Sequence, residues 1–379
     1  MKRIYLDYAA TTPVDKKVLL AMKPYFYKKF GNASSIHEFG REAKEALENS
    51  REFIKRKVFA KDHELIFTSG GTESNNFAIK GIAFANRNKG KHIITTKIEH
   101  DCILNACKWL EKNGFEVSYL SVDKEGFVDL GELERTIRKD TILVSIIHGN
   151  NEIGTIQDLR EIGKICMKKG VYFHTDACQS FMKAKIDFDY VDLVTVNAHK
   201  IYGPKGIGGL FIRRGVKIDP LLHGGGHEFS LRSGTENVAG IVGFAKAVEI
   251  MKERDIENMK RTRDLLIKGA LKIEKTKLNG PKGEKRLCNN ANISFVGVEG
   301  EAIVLRLDEN GIAVSTGSAC SSRSLEPSHV LLAIGLKPEE IHSAIRFSTG
   351  KETKKEEIKY VVEILEEVVK DLRKISLLK

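Results

Sequence analysis

The sequence predicts an α/β protein of two domains. The larger is built on a mostly parallel, doubly wound sheet of seven strands, and the smaller is an α+β unit. Three observations carry this prediction. Short β-branched runs alternate with amphipathic stretches of helical length between residues 64 and 213, each strand is followed by a polar run, and the pattern changes after about residue 215. Strands separated by helices of this length imply βαβ units and hence a parallel sheet. A chain of 379 residues can bury a core for each of two domains.

The predicted strands are "ELIFT" (64–68), "KHIITT" (91–96), "FEVSYL" (115–120), "TILVSII" (141–147), "VYFHT" (171–175), "DLVTVN" (192–197) and "GLFIR" (209–213). Helical periods fall at 36–57, 73–88, 101–112, 129–138 and 158–168. Beyond them, "HGGGHEF" reads as a Gly-rich turn, followed by long helical stretches near 237–274. "NNANISFVGV" opens the smaller unit, which ends in a charged helix near 353–374, and "NGPKGEKRL" (279–287) reads as an exposed loop.

Composition narrows the function classes. No apolar run approaches the ~18 residues of a membrane span, and "MKRIYLDYAATTP" lacks the apolar stretch of a signal peptide, so a cytoplasmic protein is expected. The six cysteines, at 102, 107, 166, 178, 288 and 320, are scattered and form no C-x-x-C pair. Neither a disulfide framework nor a zinc site follows from them. The net charge of +11 (62 basic minus 51 acidic residues) points to an anionic ligand or partner. Its lysines are interleaved with glutamates, as in "KETKKEEIK", which describes a solvated helical face rather than a nucleic-acid footprint.

Ligands of an open parallel sheet bind beyond the carboxyl ends of its strands. The runs found there are "SGGTESNN", "KIEHD", "HGNNEIG", "DACQS" and "AHKIYGPKG". In the first, Gly70 and Gly71 admit close backbone approach, Thr72 offers a hydroxyl, and a helix starting near Glu73 presents unpaired N–H groups. Together these suit a phosphate. Thr72 also reads simply as a helix N-cap. No dinucleotide or Walker fingerprint is present. Lys200 stands just past a buried strand, where a desolvated amine serves Schiff-base chemistry or a salt bridge. Asp176 ends the adjacent strand and could keep a pyridine nitrogen protonated. A lysine, an aspartate and a phosphate cup on strand ends of one sheet describe a pyridoxal 5'-phosphate site.

The chain also resembles the cysteine desulfurases of the NifS/IscS type, in the class V aminotransferase branch of the fold-type I pyridoxal-phosphate enzymes. The resemblance runs through "YLDYAATTPVD", "FGNASSIHEFG", "FTSGGTESNN", "IEHDC", "NNEIGTIQ", "HTDACQS", "AHKIYGPKGIG", "HGGGHE", "RSGTENV", "STGSACSS", "EPSHVL" and "AIRFSTG". It implies a large pyridoxal-phosphate domain over 15–255, and a small α+β domain from 1–14 and 256–379 that carries a cysteine loop. It further implies that Lys200 forms the Schiff base, Asp176 contacts the ring nitrogen and Gln179 bonds the ring hydroxyl. His100 would stack on the ring and shuttle protons, although without the motif it would read as a helix-capping histidine. Gly71, Thr72 and His199 would hold the phosphate, with Thr235 reaching it across the subunit boundary of a homodimer. Asn151 and Arg346 would bind the carboxylate of L-cysteine, Arg346 through its planar fork. Asn197 stands where the family often has serine.

Cys320, in "STGSACSSRSLEPSHVL", would accept the substrate sulfur as a persulfide, L-alanine leaving. The family's usual sulfur acceptors are an iron–sulfur scaffold protein, in whose complex Cys320 could also ligate a cluster, or tRNA thiolation enzymes. Glycine and serines around Cys320 imply low packing, and weak order is expected over 321–328. Arg323 would lower the thiol pKa, face an acidic partner, or be plainly solvated. His223 and His227 are four apart, but three intervening glycines argue for a turn rather than a metal pair. Alternatives of neighbouring chemistry are a class V aminotransferase, which needs no Cys320, and a selenocysteine lyase.

Overall fold

A computed structural model describes residues 3–316 and 327–376. All seven predicted strands form one sheet, in the order 63–68, 208–213, 193–197, 172–176, 141–145, 92–96, 116–120. Every pairing is parallel except those of Gly208–Arg213, which runs antiparallel to both neighbours. Because successive side chains of a strand point to opposite faces, one strand feeds two cores. Leu143, Leu193 and Leu210 pack with Phe77, Ile82, Ile103 and Leu110 of the helices Gly71–Asn86 and Asp101–Glu111. Val144, Val194 and Phe211 pack on the other face with Leu47, Ile54, Phe244 and Val248 of the helices Glu38–Lys57 and Val238–Ile250. Burial on both faces explains why these strands read as continuous apolar runs.

A four-stranded antiparallel sheet, in the order 315–316, 344–348, 290–295, 276–279, forms the second unit. Its core gathers Ile293, Phe295, Leu307, Phe347 and Leu365 together with Ile4 and Leu6 from the start of the chain. Ile4–Tyr5 pairs in parallel with Ile312–Ala313. The helix Glu253–Ala270 runs from one core to the other, burying Met259 in the first and Leu266 and Ala270 in the second.

Two local expectations change. The segment 279–287 is not a free loop, since only 282–285 are exposed. Arg286, fully buried, donates from Nε to Pro281 O at 2.6 Å, from Nη1 to Asn290 Oδ1 at 3.0 Å, and to Asn279 O. Stray carbonyls thus find a donor, the general requirement for buried backbone. The "HGGGHE" turn hides a buried ion pair. Glu228 accepts from Arg51 Nη2 at 2.7 Å and from Phe67 N–H at 2.7 Å, which ties the turn to the first strand of the large sheet. A buried arginine–carboxylate fork compensates its desolvation only with such added hydrogen bonds.

Candidate active site

The strand ends converge on a cavity of about 270 Å³. Gly71, Thr72, His100, Asn151, Asp176, Gln179, His199 and Lys200 line it, joined by Asn75, Cys102, Cys178 and Asn197. The first eight were candidates from sequence. The last four share its wall but had not been assigned a role.

At one end of the cavity the chain turns through Gly70, whose φ of +154° is open to glycine alone, into the helix Gly71–Asn86. This helix starts two residues before the expected position. Its N-cap is Gly70, with no side-chain cap, so Thr72 is not an N-cap residue. Its carbonyl accepts from Asn76 Nδ2 at 3.0 Å. Gly71 and Thr72 line the cavity, and the first N–H groups of the helix have no side-chain cap among the described residues, which makes this end a ready anion site. Close packing here has a sequence cause, because a Cβ on Gly208 would stand 2.7 Å from Gly70 Cα, and one on Gly71 2.5 Å from Cys178 Sγ. Asn197, 3% exposed, also lines this cavity, and its Oδ1 is buried without a partner among the described residues.

At the end of the strand Tyr172–Asp176, Asp176 accepts from Asn75 Nδ2 at 2.7 Å and from Cys178 N–H at 2.8 Å. Gln179 donates from Nε2 to Ala9 O at 2.8 Å. The early segment "YAATT" closes this side of the cavity. Ala10 lines it, Thr11 Oγ1 lies 3.2 Å from His199 Nδ1, and Thr12 N–H donates to His199 O at 2.9 Å. Burial, and then the cations Lys200 and Lys205, push His199 down to about 4. Its ring is therefore neutral at neutral pH and one nitrogen can donate to an anion.

His100 is in fact the N-cap of the helix Asp101–Glu111, its Nδ1 accepting from Cys102 N–H at 3.2 Å. The capping role and a place on the cavity wall are thus combined in one ring. Burial, the largest influence, lowers its pKa, with Lys200 acting in the same direction and Asp176 against it.

Two described candidates lie apart from this wall. Thr235 is exposed and does not line its own chain's cavity. It follows Ser233 and Gly234, which bond to the "HGGGHE" turn through Ser233 Oγ–Gly225 O at 2.6 Å and Gly234 N–His227 Nδ1 at 3.3 Å. Arg346, 3% exposed, donates to Asp7 Oδ1 at 3.0 Å and from Nη1 to Asn151 O at 3.2 Å, and its Nε has no partner among the described residues. It therefore borders the cavity through Asn151. Cys320 and Arg323 lie outside the described residues.

The expected weak order over 321–328 falls mainly on that undescribed stretch, but Ser328 corrects it. This residue is 6% exposed and caps the helix His329–Ala333, with its hydroxyl bonded to Glu152 Oε2 at 2.5 Å. His329 Nε2 bonds Glu99 O at 2.9 Å. The chain emerging from the cysteine segment is thereby clipped to the residues that precede His100 and follow Asn151.

Glu99 is a strongly perturbed carboxyl near the site. Burial pushes its pKa up to about 8, although Oε1 accepts from Thr96 Oγ1 at 2.7 Å and Ile147 N–H at 2.9 Å. A carboxyl whose folded pKa is raised contributes stability that is complete below its unfolded pKa and lost as pH rises through about 8. Glu99→Gln keeps the acceptor oxygen and removes the titration. The variant is therefore expected to gain stability relative to the parent as pH rises from 5 to 9, read as the difference of urea midpoints. A difference that stays constant with pH would show Glu99 to be ionised throughout.

Comparison with known proteins agrees with this geometry. The model of the family Aminotransferase class-V matches residues 4–361. Cysteine desulfurase IscS of Dictyoglomus turgidum is 55% identical over 99% of this chain and 97% of its own length. The protein of the same name from Methanosarcina thermophila is 52% identical over 99% and 94%. Among solved structures, a NifS-like protein superimposes with a TM-score of 0.91 at 38% identity, covering 98% of this chain and all of its own. SspA in complex with cysteine does so with a TM-score of 0.82 at 38% identity, over 92% and 99%. With its fold, strand-end cavity and near full-length identity in agreement, the chain belongs to the class-V aminotransferase family and, within it, to the cysteine desulfurases.

Proposed function

We propose that this protein is a pyridoxal-phosphate-dependent cysteine desulfurase that moves the sulfur of L-cysteine to Cys320 and releases L-alanine. The observation that carries the reading is one cavity joining Lys200 and Asp176 with the open N-terminus of the helix Gly71–Asn86. The residues present fit the cofactor. Unpaired helix amides, the Thr72 hydroxyl and the neutral His199 suit its phosphate, and Asp176 suits a protonated ring nitrogen. Asn197 lines the same cavity, and its amide oxygen has no partner among the described residues.

When bound, the cofactor supplies an electron sink for charge developing at the substrate Cα. The amine of Lys200 would take the Cα proton. Asp176, held by two N–H donors, keeps the proton on the ring nitrogen by its negative charge. Asn151 and Arg346 orient the substrate carboxylate, with Arg346 exchanging part of its present bonding for a bidentate grip. His100 moves the proton of the substrate thiol. The Cys320 thiolate attacks that sulfur, so an S–S bond forms as the C–S bond breaks. The C–S electron pair passes to Cβ, which gains a proton, Lys200 returns a proton to Cα, and L-alanine departs while Cys320 keeps the persulfide.

The same reading assigns residues 15–255 to the cofactor domain and 1–14 with 256–379 to the small domain. It also makes the protein a cytoplasmic homodimer. Thr235 would serve the neighbouring subunit's phosphate, and the exposed Phe26, Phe30, Ile36 and Phe39 (52–91% exposed) offer apolar surface for such a contact. Among the described residues no helix is long and apolar enough to cross a membrane. The persulfide would pass to an iron–sulfur scaffold protein or to tRNA thiolation.

The test is to load the purified protein with pyridoxal phosphate, add L-cysteine and a reducing thiol, and measure products. Equal amounts of alanine and sulfide are expected. 3-Mercaptopyruvate, with the sulfur retained and the amino group left on the cofactor, would overturn the reading in favour of an aminotransferase.

A further inference from the structure

Cys102 lines the cavity, yet no step above uses it. It lies two residues past His100, in the first turn of the helix Asp101–Glu111. Its backbone N–H donates to His100 Nδ1 at 3.2 Å, and its Sγ lies 3.1 Å from that same nitrogen. An imidazole nitrogen that receives a backbone N–H is an acceptor, so a neutral His100 carries its hydrogen on Nε2. Sγ in turn receives one hydrogen of Asn75 Nδ2 at 3.1 Å. The other hydrogen of that amide goes to Asp176 Oδ2 at 2.7 Å. The carboxylate fixes the amide's orientation, because the reversed amide would turn its own oxygen towards a negative one. A sulfur that accepts from Asn75 has its own hydrogen left to donate, and His100 Nδ1 stands within reach of it.

We propose that Cys102 is a positioning residue which, with Asn75, forms a hydrogen-bond relay from Asp176 to His100 and holds His100 neutral in the Nε2–H form. The proposal rests on the reading of His100 as a proton carrier and refines it: held in the relay the ring meets the substrate as an Nε2–H donor, and it takes up a proton only when the relay opens at Nδ1.

The thiol suits this task because it stays protonated: burial, followed by Asp176, pushes it up to about 12. It is therefore a poor nucleophile and a constant donor. Around His100, burial, Lys200 and His329 disfavour the imidazolium, whereas Asp176 and Asp101 favour it. Two donors directed at Nδ1 side with burial, since protonation there would set three hydrogens against one another. The balance keeps the ring neutral despite two nearby carboxylates. In that state Nε2 offers its hydrogen to the sulfur side of the substrate, and Nδ1 cannot take up a proton without breaking the relay.

The experiment uses cofactor-loaded wild-type protein with the Cys102→Ala and Cys102→Ser variants. Ring-nitrogen NMR on histidine-labelled samples, assigned by His100→Gln, reads the tautomer and its titration. The pH profile of alanine release is read in parallel. The wild type is expected to show Nε2–H and an unprotonated Nδ1. Removing the S–H donor in Cys102→Ala removes support for the neutral ring, so the pKa of His100 rises. The ring titration and the acidic limb of kcat/KM should then both move up by about 0.5–1 pH unit, the worth of one weak hydrogen bond. Cys102→Ser, whose hydroxyl also accepts and donates, should move both back towards wild type. An Nδ1–H signal in the wild type, or no movement in Cys102→Ala, would overturn the relay, as would a Cys102→Ser titration displaced as far as that of alanine. The ring spectrum decides the relay even if L-cysteine yields no alanine, so the two readings fail separately.

Discussion

Lys200→Ala is expected to lower alanine release from L-cysteine by at least about 10⁴-fold, because the variant loses both the covalent anchor of the cofactor and the base for the Cα proton. The structure gives reasons to expect a specific loss. Lys200 lines the cavity with Asp176 and His199, and no ion pair to its amine is found among the described residues, so its removal strands no buried carboxylate. The fold should therefore survive, with a thermal midpoint near that of the wild type. Pyridoxal phosphate should still bind through the helix N-terminus and Asp176, but its visible absorbance should be that of the free aldehyde. Turnover retained within tenfold of wild type would remove Lys200 from the mechanism.

Cys320→Ala should separate cofactor chemistry from sulfur transfer. The variant keeps Lys200, Asp176 and Arg346, so adding L-cysteine should still change the visible spectrum. Alanine release should fall by about 10³-fold or more, since the departing sulfur has lost its nucleophile. Wild-type protein treated with L-cysteine and then with an alkylating reagent should carry the extra sulfur mass on the peptide containing Cys320, and Cys320→Ala should carry none. Full alanine release by the variant would assign the sulfur to another acceptor. Unaltered transamination with an amino donor would support the aminotransferase alternative.

Much of the fold was legible because these strands are buried on both faces. "TILVS" and "DLVTVN" read as unbroken β-branched runs, and "LREIGKICMKK" as a helix with one apolar stripe that ends at Gly170 in a left-handed turn. Errors gathered where backbone chemistry overrides composition. The helix after "SGG" starts at Gly71 because Gly70 adopts a φ that lets the chain turn at once. The polar string 279–287 is half buried because Arg286 supplies donors to carbonyls that the sequence shows as a loop. Ser328, set in a serine-rich run, is buried because Glu152 awaits a donor from a segment 176 residues earlier.

The site divides along the same line. Lys200, Asp176 and Gly71 could be nominated from the chain alone, since the chemistry of each is written in its residue type and its position after a strand, whereas His100 needed the family resemblance. That knowledge is local, carried by side-chain identity and by periods of two and 3.6 residues. The Asn75–Cys102–His100 relay, the Asp7–Arg346 pair and the exposed place of Thr235 depend on which strand ends and loops meet in space. Asp7 and Arg346 are 339 positions apart, and no period connects them. Hydrogen bonds act over about 3 Å, so only the folded sheet, by bringing distant segments to that range, could choose these partners.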